Sequence, residues 1–298
     1  MAQSLSERIT SLDPAKPVLI AGPTASGKSE IALRIAEAQG GVVINADAIQ
    51  VYSDWRVLTA RPSSEDEVRA PHGLYGHVAG DVPYSVGDWL RDLEPYLSGD
   101  MRPIIVGGTG LYLTALTEGL AQIPATPDDI RATAMARIAS ESHLALAEEL
   151  DTKTRSRIDL ANPMRVQRAW EVLTNTGTGL ADWQDQTAPP RLPLADVSAW
   201  VINADKTWLT PRIEARFDKM LQTGALEEAW ANHATWSPEL PSAKAIGAAE
   251  LMAVIEGTMT LPEARDRSTI LTRQFAKRQR TWFRARMRDW TQVDVTAA

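Results

Sequence analysis

One stretch limits what this chain can become. A short apolar run from Val18 to Ala21 leads into Gly22-Pro23-Thr24-Ala25-Ser26-Gly27-Lys28-Ser29, and a helical apolar pattern follows at Ile31, Leu33, Ile35 and Ala36. The octet matches G-x-x-x-x-G-K-[ST], the phosphate-binding loop, in the strand-loop-helix setting that such a loop needs. Backbone N–H groups must turn inward around a phosphate, and glycine lets the chain turn that tightly. Lys28 is expected to neutralise the outer phosphate and the Ser29 hydroxyl to coordinate Mg²⁺. A helix expected over 29–38 aims its positive end at the anion. The alternative, a glycine-rich turn without a ligand, leaves the complete motif and both flanks unexplained. The fold class expected is therefore α/β, with a parallel sheet core of the P-loop NTPase type. Whose phosphate is bound, the loop does not say.

Composition narrows the partners. No apolar run approaches the ~20 residues of a membrane span, and residues 1–16 are polar with no apolar centre, so the chain is read as cytoplasmic with no membrane partner. With Cys 0, disulfides, thiolate catalysis and the usual zinc sites are excluded. His72, His77, His143 and His233 have no carboxylate-rich ligand spacing around them, and each is read as structural. The net charge of -7 argues alone against nucleic acid, yet the arginines are clustered in two places.

A second apolar strand is expected over 41–47, ending at Asp47. Strand carboxyl ends face the ligand crevice in a doubly wound sheet, so Asp47 should stand near the phosphate. It reads as a general base, an indirect Mg²⁺ partner, or a cap or turn aspartate. Residues 50–62 form a polar loop that could close over a substrate. A helix over 88–97, a third strand over 103–106, Gly107-Gly108-Thr109-Gly110 and a helix over 111–116 make a second strand-glycine-helix unit, which offers Thr109 to the same crevice. That third strand does not end in an aspartate, which weakens a motor or hydrolase reading.

Proline and glycine borders set off 121–197 as an inserted all-helical domain between core segments 1–120 and 198–298. Helices are expected there over 131–150 and 163–173. Lys153, Arg155, Arg157, Arg165 and Arg168 form the first basic cluster, diluted by Asp151, Asp159 and Glu171; an ordinary solvated face is an equal reading. A strand over 199–203 returns to the core, and a helix starting at Pro211 carries Arg212 and Arg216, which could reach a diphosphate or pair with Glu214 and Asp218. The second cluster, over 273–288, places Arg273, Lys277, Arg280, Arg284 and Arg288 on one helical stripe. The stripe is read as an RNA contact, and Phe275, Trp282 and Phe283 as core.

GPTASGKS at 22–29, DAIQVY at 47–52, TARP at 59–62, PHGL at 71–74, GGTGLY at 107–112 and RQFAKRQRTWFR at 273–284 together resemble the tRNA dimethylallyltransferases, over nearly the whole chain. Nucleotide kinases do not share this set in this order. The resemblance implies transfer of a dimethylallyl group from dimethylallyl diphosphate to the N6 amine of adenosine 37, beside the tRNA anticodon, by a monomer needing Mg²⁺. It implies a diphosphate site made by Gly22 to Ser29 with Arg216, Arg212 being the second choice. Asp47 would be the general base, and Thr109 would contact the target nucleotide. It implies tRNA contacts at Asp47, Ala48, Ile49, Gln50 and Thr109, at Arg131, at Met164, Arg165, Val166, Gln167 and Arg168, and at Lys277, Arg278, Gln279, Arg280 and Arg284. The inserted domain would grip the anticodon stem. The chain departs from the family pattern at Ala48, Arg61, Lys244 and Ala248, where serine, lysine, arginine and tyrosine are usual.

Two rivals share some of these features. A small-molecule or nucleotide kinase would use the same loop with ATP and would need no basic C-terminal helix. A non-enzymatic RNA-binding module would leave the phosphate loop without a use. The D-D-x-x-D signature of chain-elongating prenyl synthases is missing, since Asp128-Asp129 is followed by Ile130-Arg131-Ala132.

Overall fold

The computed structural model describes residues 4–295. Short apolar runs become strands β1 (Val18–Ala21), β2 (Val42–Asn45), β3 (His72–Gly73), β4 (Pro103–Gly107), β5 (Ser198–Asn203) and β6 (Thr291–Asp294) of one sheet, ordered β3-β2-β4-β1-β5-β6. Every neighbouring pair is parallel. β1, β2 and β4 are buried at every position, as expected for strands covered on both faces. Ala21 stands opposite both Gly107 and Val201, and Asn45 opposite Val106. The segments that leave β1, β2 and β4 therefore emerge level with one another at one edge.

The chain divides into two compact units, Met1–Thr117 with Leu192–Ala298, and Glu118–Arg191. Residues 192–197, grouped with the helical insert in the sequence, belong to the first unit: the Leu192 N–H donates to the Leu116 carbonyl and Lys16 Nζ to the Ala195 carbonyl.

The first unit adds α1 (Leu5–Thr10), α2 (Lys28–Gln39), α3 (Ser64–Arg69), α4 (Val86–Leu97) and α5 (Gly110–Glu118). Val18 and Ile20 of β1 and Ile104 of β4 meet Ile31 and Ile35 of α2; each fully buried aliphatic side chain is worth about 2 kcal/mol. In the second unit, α6 (Asp128–Glu141), α7 (His143–Glu148), α8 (Thr152–Arg157), α9 (Pro163–Thr176) and α10 (Leu180–Asp185) enclose their own core of Ala134, Leu146, Leu150, Val166, Ala169 and Trp170. The single helix expected over 131–150 is two helices. Ser142 turns to φ 91 between them, and its hydroxyl accepts the Leu144 N–H, a local hydrogen bond that competes with helix continuation.

The first unit resumes with α11 (Lys206–Gln222), α12 (Ala225–Asn232), α13 (Ala248–Ile255) and α14 (Leu261–Arg286). α11 begins at Lys206, ahead of the expected start at Pro211, because Asp205 accepts the Trp208 N–H as its cap. α14 begins well before 273 behind a Thr260/Glu263 capping box. It ends at Arg286, so Arg288, assigned to the cationic stripe, lies beyond the helix. Trp55 and Leu58 pack with Phe217, Ala225 and Leu251, which fastens the loop after β2 to α11, α12 and α13.

Candidate active site

The phosphate loop leaves β1 at Gly22 and enters α2 at Lys28. Gly27 caps the helix at φ 83, a conformation in which a Cβ is costly. Ala25 is held at φ 62 without being glycine, at about 1–2 kcal/mol. The Ser26 side chain is buried and its Oγ has no hydrogen-bond partner in the protein; an unsatisfied buried hydroxyl in such a loop is suited to a ligand oxygen. Ser29 is exposed in the first turn of α2.

Three charged groups converge behind the loop. Lys28, half-buried, places Nζ 3.5 Å from the Pro23 carbonyl. Burial, and then the like charge of Arg216, push its ammonium down to about 8, against the opposing pull of Asp47. Arg216, on α11, donates to the Thr59 carbonyl at 3.3 Å. Burial lowers its pKa and the Asp47 carboxylate partly restores it. Arg212, one turn earlier, is exposed and stacks over the Trp208 ring at 4.0 Å. Of the two arginines, α11 thus turns Arg216 toward Lys28 and Asp47.

Asp47 is fixed from both sides. Its N–H donates to Asn45 Oδ1 at 2.8 Å, its carbonyl accepts from Asn45 Nδ2 at 3.0 Å, and its Oδ1 accepts the Ile49 N–H at 3.0 Å. The last bond is an Asx turn, and no helix follows to be capped. Thr109 Oγ1 accepts the Ala48 N–H at 2.9 Å, and the Thr109 N–H donates to the Ala46 carbonyl at 3.2 Å. Thr109 and Asp47 are therefore tied together through the backbone between β2 and its neighbouring segment.

A cavity of 320 Å³ opens over this cluster. Its lining combines polar side chains, among them Thr24, Asp47, Gln50, Thr59 and Arg216, with an apolar set of Ile49, Leu58, Ile213, Phe217, Met220, Ile246 and Phe275; Lys244, Thr272 and Arg278 complete it. Phe275, expected in the core, lines this cavity. Ile213, Phe217 and Met220 of this set come from α11, where the sequence shows only helical periodicity at those positions. Gln50 Nε2 donates to the Thr59 and Ala60 carbonyls at 2.9 and 3.0 Å, so its amide is occupied in shaping the loop over the cavity. A second cavity of 410 Å³, beside Pro23, is lined by Arg280, Phe283, Arg284, Asp205 and Asp294 among others.

The basic clusters change on folding. In the second unit, Lys153 and Arg157 pair with Asp182 and Asp185. Arg155 donates to the Ala147 carbonyl, and Arg168 to Thr126 Oγ1 at 2.5 Å. Gln167 Nε2 donates to Glu171 at 2.9 Å. Met164 and Arg165 are exposed, as is Arg131, 4.0 Å from Asp128. Val166, assigned to tRNA contact, is fully buried in the helical core and offers RNA no side-chain surface. On α14, Lys277, Arg278 and Arg284 are exposed and Arg280 is half-buried, while Arg273 pairs with Glu214 at 3.2 Å. Gln279, also assigned to tRNA, points inward and is buried, bonded to Thr24 and Gly108. Its short polar side chain belongs to the loops beneath the helix.

A level sheet edge carrying a phosphate loop, one anchored carboxylate and an apolar-walled cavity defines a P-loop protein of the group-transfer kind. The IPP transferase family model matches residues 50–286, and the isopentenyl transferase family model matches residues 16–75. The chain belongs to the IPP transferase family. It is 60% identical over 282 residues to the tRNA dimethylallyltransferase of Ruegeria sp. (strain TM1040), covering 95% of this chain and 96% of that one. Its structure is similar to the tRNA isopentenylpyrophosphate transferase of Bacillus halodurans, with TM-score 0.66 and 29% identity over 95% of this chain and 91% of the other. The fold is also that of a eukaryotic dimethylallyltransferase acting on tRNA, with TM-score 0.77 and 24% identity over 94% of this chain and 73% of that one.

Proposed function

We propose that this chain transfers the dimethylallyl group of dimethylallyl diphosphate to the N6 amine of adenosine 37 beside the tRNA anticodon, releasing diphosphate. The observation that carries this reading is the single cavity in which Thr24 of the phosphate loop, Asp47 and Arg216 border a wall of aliphatic and aromatic side chains. A diphosphate fits the cradle and its branched five-carbon tail fits the wall.

As the allylic C–O bond breaks, its electrons pass to the departing diphosphate. Lys28, Arg216, the N–H groups of Gly27, Lys28 and Ser29 at the start of α2 and the Ser26 hydroxyl stabilise that growing charge. The adenine N6 forms the new C–N bond and loses a proton, which Asp47 accepts through the carboxylate oxygen not used by the Ile49 N–H. Thr109 keeps Asp47 in register by holding Ala48. The target base must leave its stack to reach this site, at a cost of a few kcal/mol.

Mg²⁺ fits here in a limited way. No group of three metal-ligating side chains exists among the described residues, so the ion would take the exposed Ser29 hydroxyl and otherwise diphosphate and water oxygens. Bound there, it would supply further neutralisation of the leaving group. Ala48, Ile49 and Gln50 border the target base. The exposed Arg131, Met164 and Arg165 of the helical unit, with Arg168, and Lys277, Arg278, Arg280 and Arg284 of the other unit supply the tRNA contacts. A tRNA substrate places the reaction in the cytoplasm.

The test uses purified protein, Mg²⁺, labelled donor and unmodified tRNA bearing adenosine at position 37. Asp47→Ala should lower turnover by about 10²–10⁴-fold with tRNA affinity kept within a few fold. Turnover within a few fold of wild type would remove Asp47 from the base role.

A further inference from the structure

Gln279 stands in a run of cations on α14, yet it is only 5% exposed. A buried carboxamide needs partners at both ends, and here the ends find two different loops. Its Oε1 accepts the Thr24 N–H at 2.9 Å and its Nε2 donates to the Gly108 carbonyl at 3.0 Å. Thr24 belongs to the phosphate loop. Gly108 leads directly into Thr109, which holds Ala48 and through it Asp47. A Cβ on Gly108 would collide with Gln279 Nε2 and come within 3.3 Å of Asp47 Oδ2. One turn further along α14, Trp282 closes on Gly110 in the same manner.

We infer that Gln279 is a positioning residue for the transfer reaction, a two-ended strut that sets the spacing between the phosphate cradle and Asp47. This inference rests on the reaction proposed above. The leaving group is held by one loop and the proton acceptor by the other, so their separation governs how well a donor carbon and an amine nitrogen are brought together. A carboxamide offers an acceptor and a donor in one planar group that stays uncharged at every pH. A methionine would leave the Thr24 N–H and the Gly108 carbonyl unpaired. A carboxylate would satisfy Thr24 but face the Gly108 carbonyl without a proton to give.

Steady-state kinetics of Gln279→Met and Gln279→Glu, with folding checked by thermal melting, separate this role from an RNA contact. The strut predicts kcat lowered by about 10–100-fold with KM for tRNA within about twofold. An RNA contact predicts the reverse, a raised KM for tRNA at unchanged kcat, and would overturn the inference. The glutamate variant adds a readout that bulk packing does not move. Burial beside the Gly108 carbonyl and the Asp47 carboxylate raises the pKa of the introduced acid, and its protonated form regains the donor. Its kcat divided by that of wild type should therefore rise from pH 8 to pH 6; a flat ratio counts against the strut. Amide hydrogen exchange on the wild-type chain judges the strut apart from catalysis. Slow exchange at Thr24 supports it and exchange at the rate of an open loop overturns it, whether or not the chain proves to transfer a prenyl group.

Discussion

Lys28 carries the most quantitative consequence of this site. Its pKa falls from an ordinary 10.5 to about 8, chiefly through burial and then through Arg216. That fall corresponds to about 3 kcal/mol of cost in holding the ammonium there, and solvent access to the half-buried side chain reduces it to about 1–2 kcal/mol. Lys28→Met removes the charge while keeping most of the volume. The ligand-free protein should then melt higher by roughly 2–4 °C per kcal/mol recovered, while donor turnover falls at least about 100-fold. The sign with pH is fixed. A lysine whose folded pKa lies below its unfolded value binds fewer protons when folded between about pH 8 and 10.5, so wild-type stability rises relative to Lys28→Met across that window. Differential scanning calorimetry of both proteins at pH 7 and pH 10, with and without inorganic diphosphate, tests this. Diphosphate should raise the wild-type Tm at pH 7 and leave Lys28→Met nearly unmoved. A lower ligand-free Tm for Lys28→Met, or turnover within a few fold of wild type, would refute the reasoning.

Arg216→Gln should raise KM for the donor by about tenfold or more, whereas Arg212→Gln should leave it within twofold, because Arg212 stacks outward on Trp208; equal effects would break the assignment. Affinity for tRNA should fall steeply with added salt, and replacing Arg284 or Arg278 by alanine should reduce the slope of log K against log salt by about one each. Unchanged slopes would remove α14 from the RNA surface.

What the sequence disclosed was local. The phosphate loop, the carboxylate at the end of β2 and the glycines before Thr109 are short-range patterns, because a strand followed by a tight turn must be written in adjacent residues. Parallel pairing then brings those three segments to one edge. The edge strands β3 and β6 were not legible, being two and four residues long with little apolar pattern. The α14 start is written in the Thr260/Glu263 capping box, upstream of the basic run that marks the helix in the sequence. Gln279 could not be assigned from its neighbours, since its partners lie 255 and 171 residues away. The partial dispersal of the first basic cluster into ion pairs with Asp182 and Asp185 likewise depends on α8 meeting α10.

The most direct measurement counts both products of one reaction. Protein, Mg²⁺, dimethylallyl diphosphate and ATP are mixed with unmodified tRNA, and diphosphate, ADP and N6-dimethylallyladenosine are quantified together. One diphosphate released per modified adenosine, with ATP intact, is the result expected of a glycine loop that holds a prenyl leaving group. ADP formed while the tRNA stays unmodified would contradict it.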